Sequence, residues 1–430
     1  MAPATRSQTA RIAGFPGTNE NGVAERKTRP LHSQASAPAK REPLASRLSD
    51  APPVYQIDLS KPPAERYVEL ATDFREQIIE LPSLFDEVVQ SVHPLVNVDV
   101  VRKFARVLLR RLHSDELTEE LRGISRVTGV EMYLLVCFNS LLDILMGCSS
   151  GGVRAQCTDG GVRMLHYRTL DWGMDALRKV VVHLEFVDKP RGRVLARSVT
   201  YVGFVGVLTG VREGLSLSLN FRPNHNNPKS LVSQALFRGH QLLVLLGRRP
   251  SIASRLRDLV LPSPQDTGPL PDLSVITHDF PSVTTTAAYI IASDGETTTV
   301  FEKDRATAEV SSATAFIAAT NHDAAIDGDG DNTASESRAF REGYSPIQQL
   351  LEESVDRKEC MSRLWTRHEK AFVRRNPQSE DGVYAAEGDV VKWVQKWPIT
   401  NEMTHYACVM DPALGAVVWL RRWLEPLPSR

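Results

Sequence analysis

The chain has 430 residues, of which 42% are hydrophobic and 24% charged, ordinary globular values that exclude general disorder, a collagen-like repeat or a continuous coiled coil. Lys plus Arg total 51 against 52 for Asp plus Glu, a net charge of -1, so bulk electrostatics make no case for nucleic acid or an anionic membrane as partner. Five cysteines at irregular positions (Cys137, Cys148, Cys157, Cys360, Cys408) contain no CxxC pair, which argues against a disulfide framework and against thiolate-held zinc.

Residues 1–50 are rich in Ala, Ser, Pro, Arg and Lys without sustained periodicity, and such a segment buries too little apolar surface to offset its ordering entropy. A disordered tail is expected there. It carries no apolar signal-peptide core, and the chain holds no Asn-x-Ser/Thr sequon; the expectation is a cytoplasmic or other intracellular protein. The stretch APPVYQIDLSKPPAERY predicts one strand and then a turn into helix, with Pro62 and Pro63 at the helix start. Between Ala64 and Leu145 apolar residues recur every three or four positions, predicting three or four successive helices. The longest apolar stretch, Met132 to Gly147, is interrupted by Asn139 and Asp143 and falls short of the ~20 residues that span a bilayer.

At Cys148 the texture changes to successive strands: SSGGVRAQ, VRMLHYRTLDW, KVVVHLEFV, RVLARSVTYVG and GLSLSLNF, separated by Gly, Asp and Pro turns. A helical stretch over 230–261 follows, then the strands AAYIIAS, TTTVFEK and AFIAAT, a helix around Pro346 to Glu353, and a last strand pair at THYACVMDP and AVVWLRR. Helices flanking two runs of antiparallel strands predict an α+β sandwich of sheets covered by helices.

Cys148 and Arg168 are centred on residue 158, within the turn Cys157-Thr158-Asp159-Gly160-Gly161. The Asp-Gly step is a strong hairpin signal, and antiparallel pairing about it returns Arg168 and Asp171 to the neighbourhood of Cys148. A thiol, a guanidinium and a carboxylate then share one sheet end. For an arbitrary cysteine, a small buried hydrophobe at a helix-to-strand junction is the commoner case. The run Asp327 to Asn332 superficially resembles a calcium loop, but lacks Gly at the sixth position and has Arg338 where the twelfth-position Glu belongs. No GxSxG, HExxH or Walker A motif occurs, and neither metal nor cofactor is expected.

The segments APPVYQIDLSKPPAERY, EELRGISRVTGVEMYLLVCFNSLLDILMGCSSGG, MLHYRTLDWGMDALRKVVVHLEFV, YVGFVGVLTGVREGLSLSLNFRP, ATNHD and NEMTHYACVMDPALGAVVWLRR, in that order, resemble the acid ceramidase and N-acylethanolamine acid amidase family of cysteine N-terminal-nucleophile hydrolases. The resemblance covers about residues 52 to 425 and implies the αββα four-layer sandwich of that superfamily, with a helical N-terminal segment. It implies self-cleavage before Cys148, which separates a helical segment, 51–147, from a catalytic segment, 148–430. Ser149 stands where the family usually has Thr, and Cys157 is the runner-up nucleophile. The α-amine freed at Cys148, with an ordinary pKa of ~7.7–8.0, serves as base for the thiol. Asp171 matches the aspartate that orients this amine. Arg168 matches the arginine that keeps the site positive and binds the substrate's polar part.

Asn321 of ATNHD matches the oxyanion-binding asparagine. The family's downstream arginine, within an Asp-Arg-Arg pattern, is carried to Arg338 of SESRAFREGY, with Arg341 as fallback. The substrate implied is a lipid amide, ceramide first, with N-acylethanolamine or another N-acyl amide as the rival, and a penicillin- or bile-acid-type amidase as a weaker one. The two chains associate with each other through packing alone, since residues 1–136 contain no cysteine. A different class of function, a non-catalytic lipid-binding relative, would use the helix Met132 to Leu145 as a partner or transient membrane surface.

Overall fold

In the computed structural model the described residues are 50–79, 86, 97–141, 147–223, 230–262, 268–325, 346–378 and 382–428. Strand β1 (Val54–Asp58) leads into three short helices, α1 (Pro63–Arg66), α2 (Val68–Asp73) and α3 (Arg75–Ile78). Pro63 occupies the first turn of α1, where a missing N–H costs nothing. Three longer helices follow, α4 (Val98–Leu108), α5 (Asp115–Thr128) and α6 (Met132–Leu141). Asn97 caps α4 by accepting from Asp99 and Val100 N–H, and Ser114 caps α5 by accepting from Leu117 N–H. Gly129 ends α5 at φ 79°, a left-handed conformation that favours glycine.

From residue 147 the chain is mostly sheet: β2 (Gly147–Gln156), β3 (Val162–Asp171), β4 (Val181–Val187), β5 (Val194–Tyr201), β6 (Thr209–Arg212) and β7 (Leu215–Phe221). The helical stretch after it divides into α7 (Leu231–Leu245) and α8 (Ile252–Val260), each capped by a serine, Ser230 and Ser251. Then come α9 (Leu273–Asp279), β8 (Ala288–Ser293), β9 (Thr298–Lys303), β10 (Ala308–Ala313) and β11 (Phe316–Ala319). Helix α10 (Pro346–Arg375) runs far beyond the turn or two expected near Pro346, and α11 (Glu387–Val394) follows the short β12 (Ala385–Ala386). The hairpin β13 (Thr404–Asp411) and β14 (Ala416–Arg422) closes the fold.

Among the described residues the strands form two sheets. One runs β1-β4-β5-β6-β7-β8-β9-β10; the other runs β11-β2-β3-β13-β14, with β12 beside β2. Apart from the parallel pairs β1–β4 and β12–β2, the ladders are antiparallel. One apolar core joins the eight-stranded sheet to α2–α6, α8 and α9; a second joins the other sheet to α10 and α11 through residues such as Val153, Tyr167, Met361, Trp365 and Val390. The expected αββα layering is therefore present. Between the sheets lie polar side chains: His166 Nδ1 sits 2.8 Å from Ser216 Oγ and its Nε2 sits 2.8 Å from Ser218 Oγ. The glycines of GCSSGG permit this close approach, because a Cβ at Gly152 would lie 2.1 Å from Thr298 Oγ1 of the facing sheet.

The N-terminal segment is built into this body by more than apolar packing. Strand β1 is an edge of the eight-stranded sheet, with Val54–Asp58 registered on His183–Val187. The fully buried Glu120 on α5 is bidentate to Arg257 on α8, at 2.6 and 2.7 Å, and takes a 3.0 Å bond from Arg66. Helix α6, apolar around most of its circumference, buries residues 133–137, as such a helix must. This part of the helix offers no face to a membrane. Groups of exposed large apolar side chains are found instead on α4 (Phe104, Val107, Leu108) and α7 (Leu231, Val232, Leu236).

Candidate active site

The hairpin around the Asp-Gly turn forms in the expected sense, with Cys148 opposite Leu170, Ser150 opposite Arg168 and Gly147 opposite Asp171. Side-chain alternation along a strand then separates the site into two faces. Cys148, Ser150 and Arg168 point toward the other sheet: Cys148 Sγ lies 3.9 Å from Leu219 O on β7, and Ser150 Oγ bonds Asn220 Oδ1 at 2.9 Å. Asp171 and Ser149 face α10. Asp171 Oδ1 accepts from Thr404 Oγ1 at 2.6 Å, and Arg357 Nε approaches Asp171 Oδ2 to 3.8 Å and bonds Ser149 Oγ at 3.2 Å.

Asn321, two residues past β11, joins the faces at the strand start. Its Oδ1 accepts from Cys148 N–H at 2.8 Å and from Arg357 Nη2 at 2.9 Å, while its Nδ2 donates to Phe221 O at 2.8 Å. Ser354, one turn before Arg357 on α10, accepts from Asn321 N–H at 2.6 Å. Cys148, Arg168, Asp171 and Asn321 are thus brought together as expected. Arg338 and Arg341 lie outside the described residues.

Among the described residues, the guanidinium that bonds Asn321 is that of Arg357, which the sequence reading missed. A signal for it exists: Asp356-Arg357-Lys358 repeats the Asp-Arg-basic order more faithfully than SESRAFREGY does. Asn220, which holds Arg168 by a short bond to Nη1, was also missed. It sits on β7 where the strand alternation of LSLSLNF turns it inward. Cys157, past the far end of β2, bonds the hairpin turn through its backbone, from Cys157 N–H to Gly161 O at 2.8 Å. Asn139 is structural here: its side chain donates to Leu135 O and Gly203 O and accepts from Val205 N–H, each at 2.8 Å.

The electrostatics follow from burial. Cys148 is fully buried, which raises its thiol pKa, against the pull of Arg168 and Arg357. Burial likewise raises the Asp171 carboxyl, opposed by Arg357 and the Thr404 hydroxyl. Arg168 is wholly buried, yet its Nε and Nη2 have no hydrogen-bond partner among the described residues. A buried donor normally finds an acceptor, so this guanidinium is suited to receive one from a bound molecule. Among the described residues no cluster of His, Cys, Asp and Glu could hold a metal, and no helix is long and apolar enough to cross a membrane.

Comparison with known proteins finds similarity to the same family. The family model for the beta subunit of N-acylethanolamine-hydrolyzing acid amidase matches residues 50–113. The chain is 30% identical over 179 residues to N-acylethanolamine-hydrolyzing acid amidase of Caenorhabditis elegans, covering 39% of this chain and 47% of that one. It is 29% identical over 192 residues to acid ceramidase of Mus musculus, covering 40% and 45%. The chain thus spans about half the length of the curated relatives it matches. Among solved structures, the Caenorhabditis elegans N-acylethanolamine-hydrolyzing acid amidase ortholog aligns with TM-score 0.42 and 21% identity, over 62% of this chain and 94% of that one. Penicillin V acylase from Agrobacterium tumefaciens aligns with TM-score 0.33 and 14% identity, over 61% and 79%. Over these stretches the chain is similar in sequence to the acid ceramidases and N-acylethanolamine-hydrolyzing acid amidases.

Proposed function

We propose that this protein hydrolyses a fatty-acyl carboxamide through Cys148, freed as an N-terminal residue by cleavage of its own Gly147–Cys148 bond. One observation carries the reading: Cys148 N–H, Asn321 Oδ1 and Arg357 Nη2 converge within 2.9 Å contacts at the start of β2. In the intact chain Cys148 is fully buried, so this form is a precursor. For maturation, Cys148 Sγ attacks the Gly147 carbonyl and the peptide C–N bond breaks as its nitrogen takes a proton. Water then hydrolyses the thioester. The new α-amine deprotonates the thiol, Asp171 and Asn321 Oδ1 accept hydrogen bonds from that amine, and the Asn321 amide group donates to the tetrahedral oxyanion.

Arg168, with two unmatched N–H-bearing nitrogens beside the thiol, takes the polar part of the substrate. Ceramide is the first substrate to test, and N-acylethanolamine the second, because relatives of both names match the chain. An apolar channel leading to Cys148 would take the acyl chain, each buried CH₂ contributing ~0.8 kcal/mol. The test is intact mass and N-terminal sequencing of purified protein, followed by hydrolysis of acetyl, octanoyl and palmitoyl amides on one headgroup. Cleavage at residue 148 and a kcat/KM rising with chain length are expected; equal rates for acetyl and palmitoyl amides would remove the lipid assignment and leave the amidase chemistry.

A further inference from the structure

The oxyanion asparagine and the substrate-facing arginine belong to the same sheet, by β11 and β3, and each is held from the end of β7 in the facing sheet, Arg168 by Asn220 and Asn321 by Phe221 O, so their alignment depends on how the ends of β7 and β11 are joined. Three consecutive rungs lace those ends together. Asn220 Nδ2 donates to Ala319 O and Thr320 O at 3.2 and 3.1 Å. Asn321 Nδ2 donates to Phe221 O at 2.8 Å. Arg222 then closes the series with a parallel two-bond pair to Asp323, Nε to Oδ1 and Nη2 to Oδ2, both 2.8 Å.

The last rung is the rigid one. The Arg222 side chain is 1% exposed and Asp323 30%, and a bidentate guanidinium–carboxylate pair fixes orientation as well as distance. Tyr289 on β8 supports both partners: its hydroxyl donates to Asp323 Oδ1 at 2.7 Å, and Arg222 lies over its ring at 5.6 Å from the centroid. Ala324 N–H is held in turn by Glu302 Oε1 at 2.7 Å. The segment carrying Asn321 is therefore tied to the eight-stranded sheet at the rung directly after the asparagine itself.

We infer that Arg222 and Asp323 are positioning residues that clamp β7 to the Asn321 segment and hold the Asn321 amide and, through Asn220, the Arg168 guanidinium in register with Cys148. Neither touches the reacting atoms. A misplacement of about 1 Å in a positioned group can cost about 10²-fold in rate, so the clamp acts on turnover and leaves acyl-chain binding alone. The inference rests on the amidase reading given above.

The experiment compares cleaved wild type with Asp323→Asn, Arg222→Lys and Tyr289→Phe, measuring kcat per Cys148 titrated by a thiol-reactive acyl probe, KM for one long-chain N-acyl amide, and Tm. Asp323→Asn is expected to lower kcat per titrated site by about 10- to 100-fold with KM within about threefold. Arg222→Lys, which keeps the charge and loses the fork, should fall between it and wild type. Tyr289→Phe, which keeps the ring and loses one hydroxyl, serves where Asp323→Asn folds poorly, and should lower kcat per site measurably without moving KM. If all variants that fold retain wild-type kcat per site and lose only Tm or titratable fraction, the pair is merely structural and the inference fails while the amidase stands. A wild-type protein with no titratable Cys148 and no amide hydrolysis overturns both.

Discussion

Arg357 and the Cys148 backbone share one acceptor: Asn321 Oδ1 takes hydrogen bonds from Arg357 Nη2 at 2.9 Å and from Cys148 N–H at 2.8 Å. The arginine stands 36 residues after the asparagine and reaches it from α10, which also presents Ser354 to the Asn321 backbone. Arg357→Ala would leave Asp171 buried without its nearest cation and Asn321 Oδ1 without one donor. Removing one such buried charged contact typically costs at least ~10²-fold in turnover. Arg357→Ala is therefore expected to slow both maturation and amide hydrolysis by that order, whereas Arg338→Ala and Arg341→Ala stay within about threefold of wild type. Band conversion on denaturing gels and steady-state kinetics read both; an active Arg357→Ala beside an inactive Arg338→Ala would reverse the assignment.

Much of this site is legible in the sequence because its logic is local. The Asp159-Gly160 turn sets the β2–β3 register, and register fixes which of Cys148, Arg168 and Asp171 share a face. The turn centre reads as residue 158, yet Cys148 pairs with Leu170, which moves the centre to residue 159. What escapes is the long-range part. Helix α10 extends to Arg375, and its Arg357 reaches Asn321 from 36 residues away, a separation that no local pattern marks. The pairing of Glu120 with Arg66 and Arg257 is similarly invisible. Its partners lie 54 and 137 residues away, and nothing local marks them.

The two candidate nucleophiles predict opposite labelling. Cys148 begins a strand beside Asn321, whereas Cys157 closes the hairpin, with a thiol that burial pushes up to about 11. Cys148→Ala should remain a single chain, and Cys157→Ser should cleave normally and keep most of its activity, a turn position tolerating a small polar residue. An acyl thiol probe that labels Cys148→Ser and spares Cys157→Ser would move the nucleophile to residue 157.

The pieces should stay together once cut. Strand β1 contributes a parallel edge to the sheet of the C-terminal segment, and the buried Arg66–Glu120–Arg257 group crosses the proposed cleavage point. Size-exclusion chromatography of the cleaved protein in native buffer should give one species containing both chains, separable only in denaturant. Glu120→Ala leaves the buried Arg257 guanidinium without its carboxylate partner, whereas Arg66 keeps Glu116, a change of about 3–5 kcal/mol for a buried pair. It is expected to lower the urea midpoint and to release the N-terminal chain after cleavage; co-elution at wild-type midpoint would show that packing alone suffices.

Acid should destabilise this fold through its buried imidazoles. His166 lies between the sheets with Ser216 and Ser218 on its two nitrogens, and burial, with Arg168 nearby, lowers its pKa to about 3. His405, bonded to Tyr201 and to Trp172 O, is likewise lowered by burial and Arg178 to about 3. A folded pKa below the unfolded one means that the unfolded chain binds more protons, so stability is full above the unfolded pKa of ~6.5 and is lost as pH falls toward the folded value. At pH 5.5 each such histidine removes about 1.4 kcal/mol, and the two together about 3 kcal/mol. Asp171 and Glu302, whose pKa values burial raises, act in the opposite sense at the same pH, so the informative measurement is a difference between variants. Urea unfolding of wild type and His166→Gln at pH 7.5 and 5.5 provides it. Glutamine keeps a donor and an acceptor for the two serines and cannot protonate, so the loss on acidification should shrink by about 1.4 kcal/mol. An unchanged loss would mean that His166 stays neutral in the unfolded chain or is protonated in the folded one, either of which contradicts its dry, serine-bracketed setting.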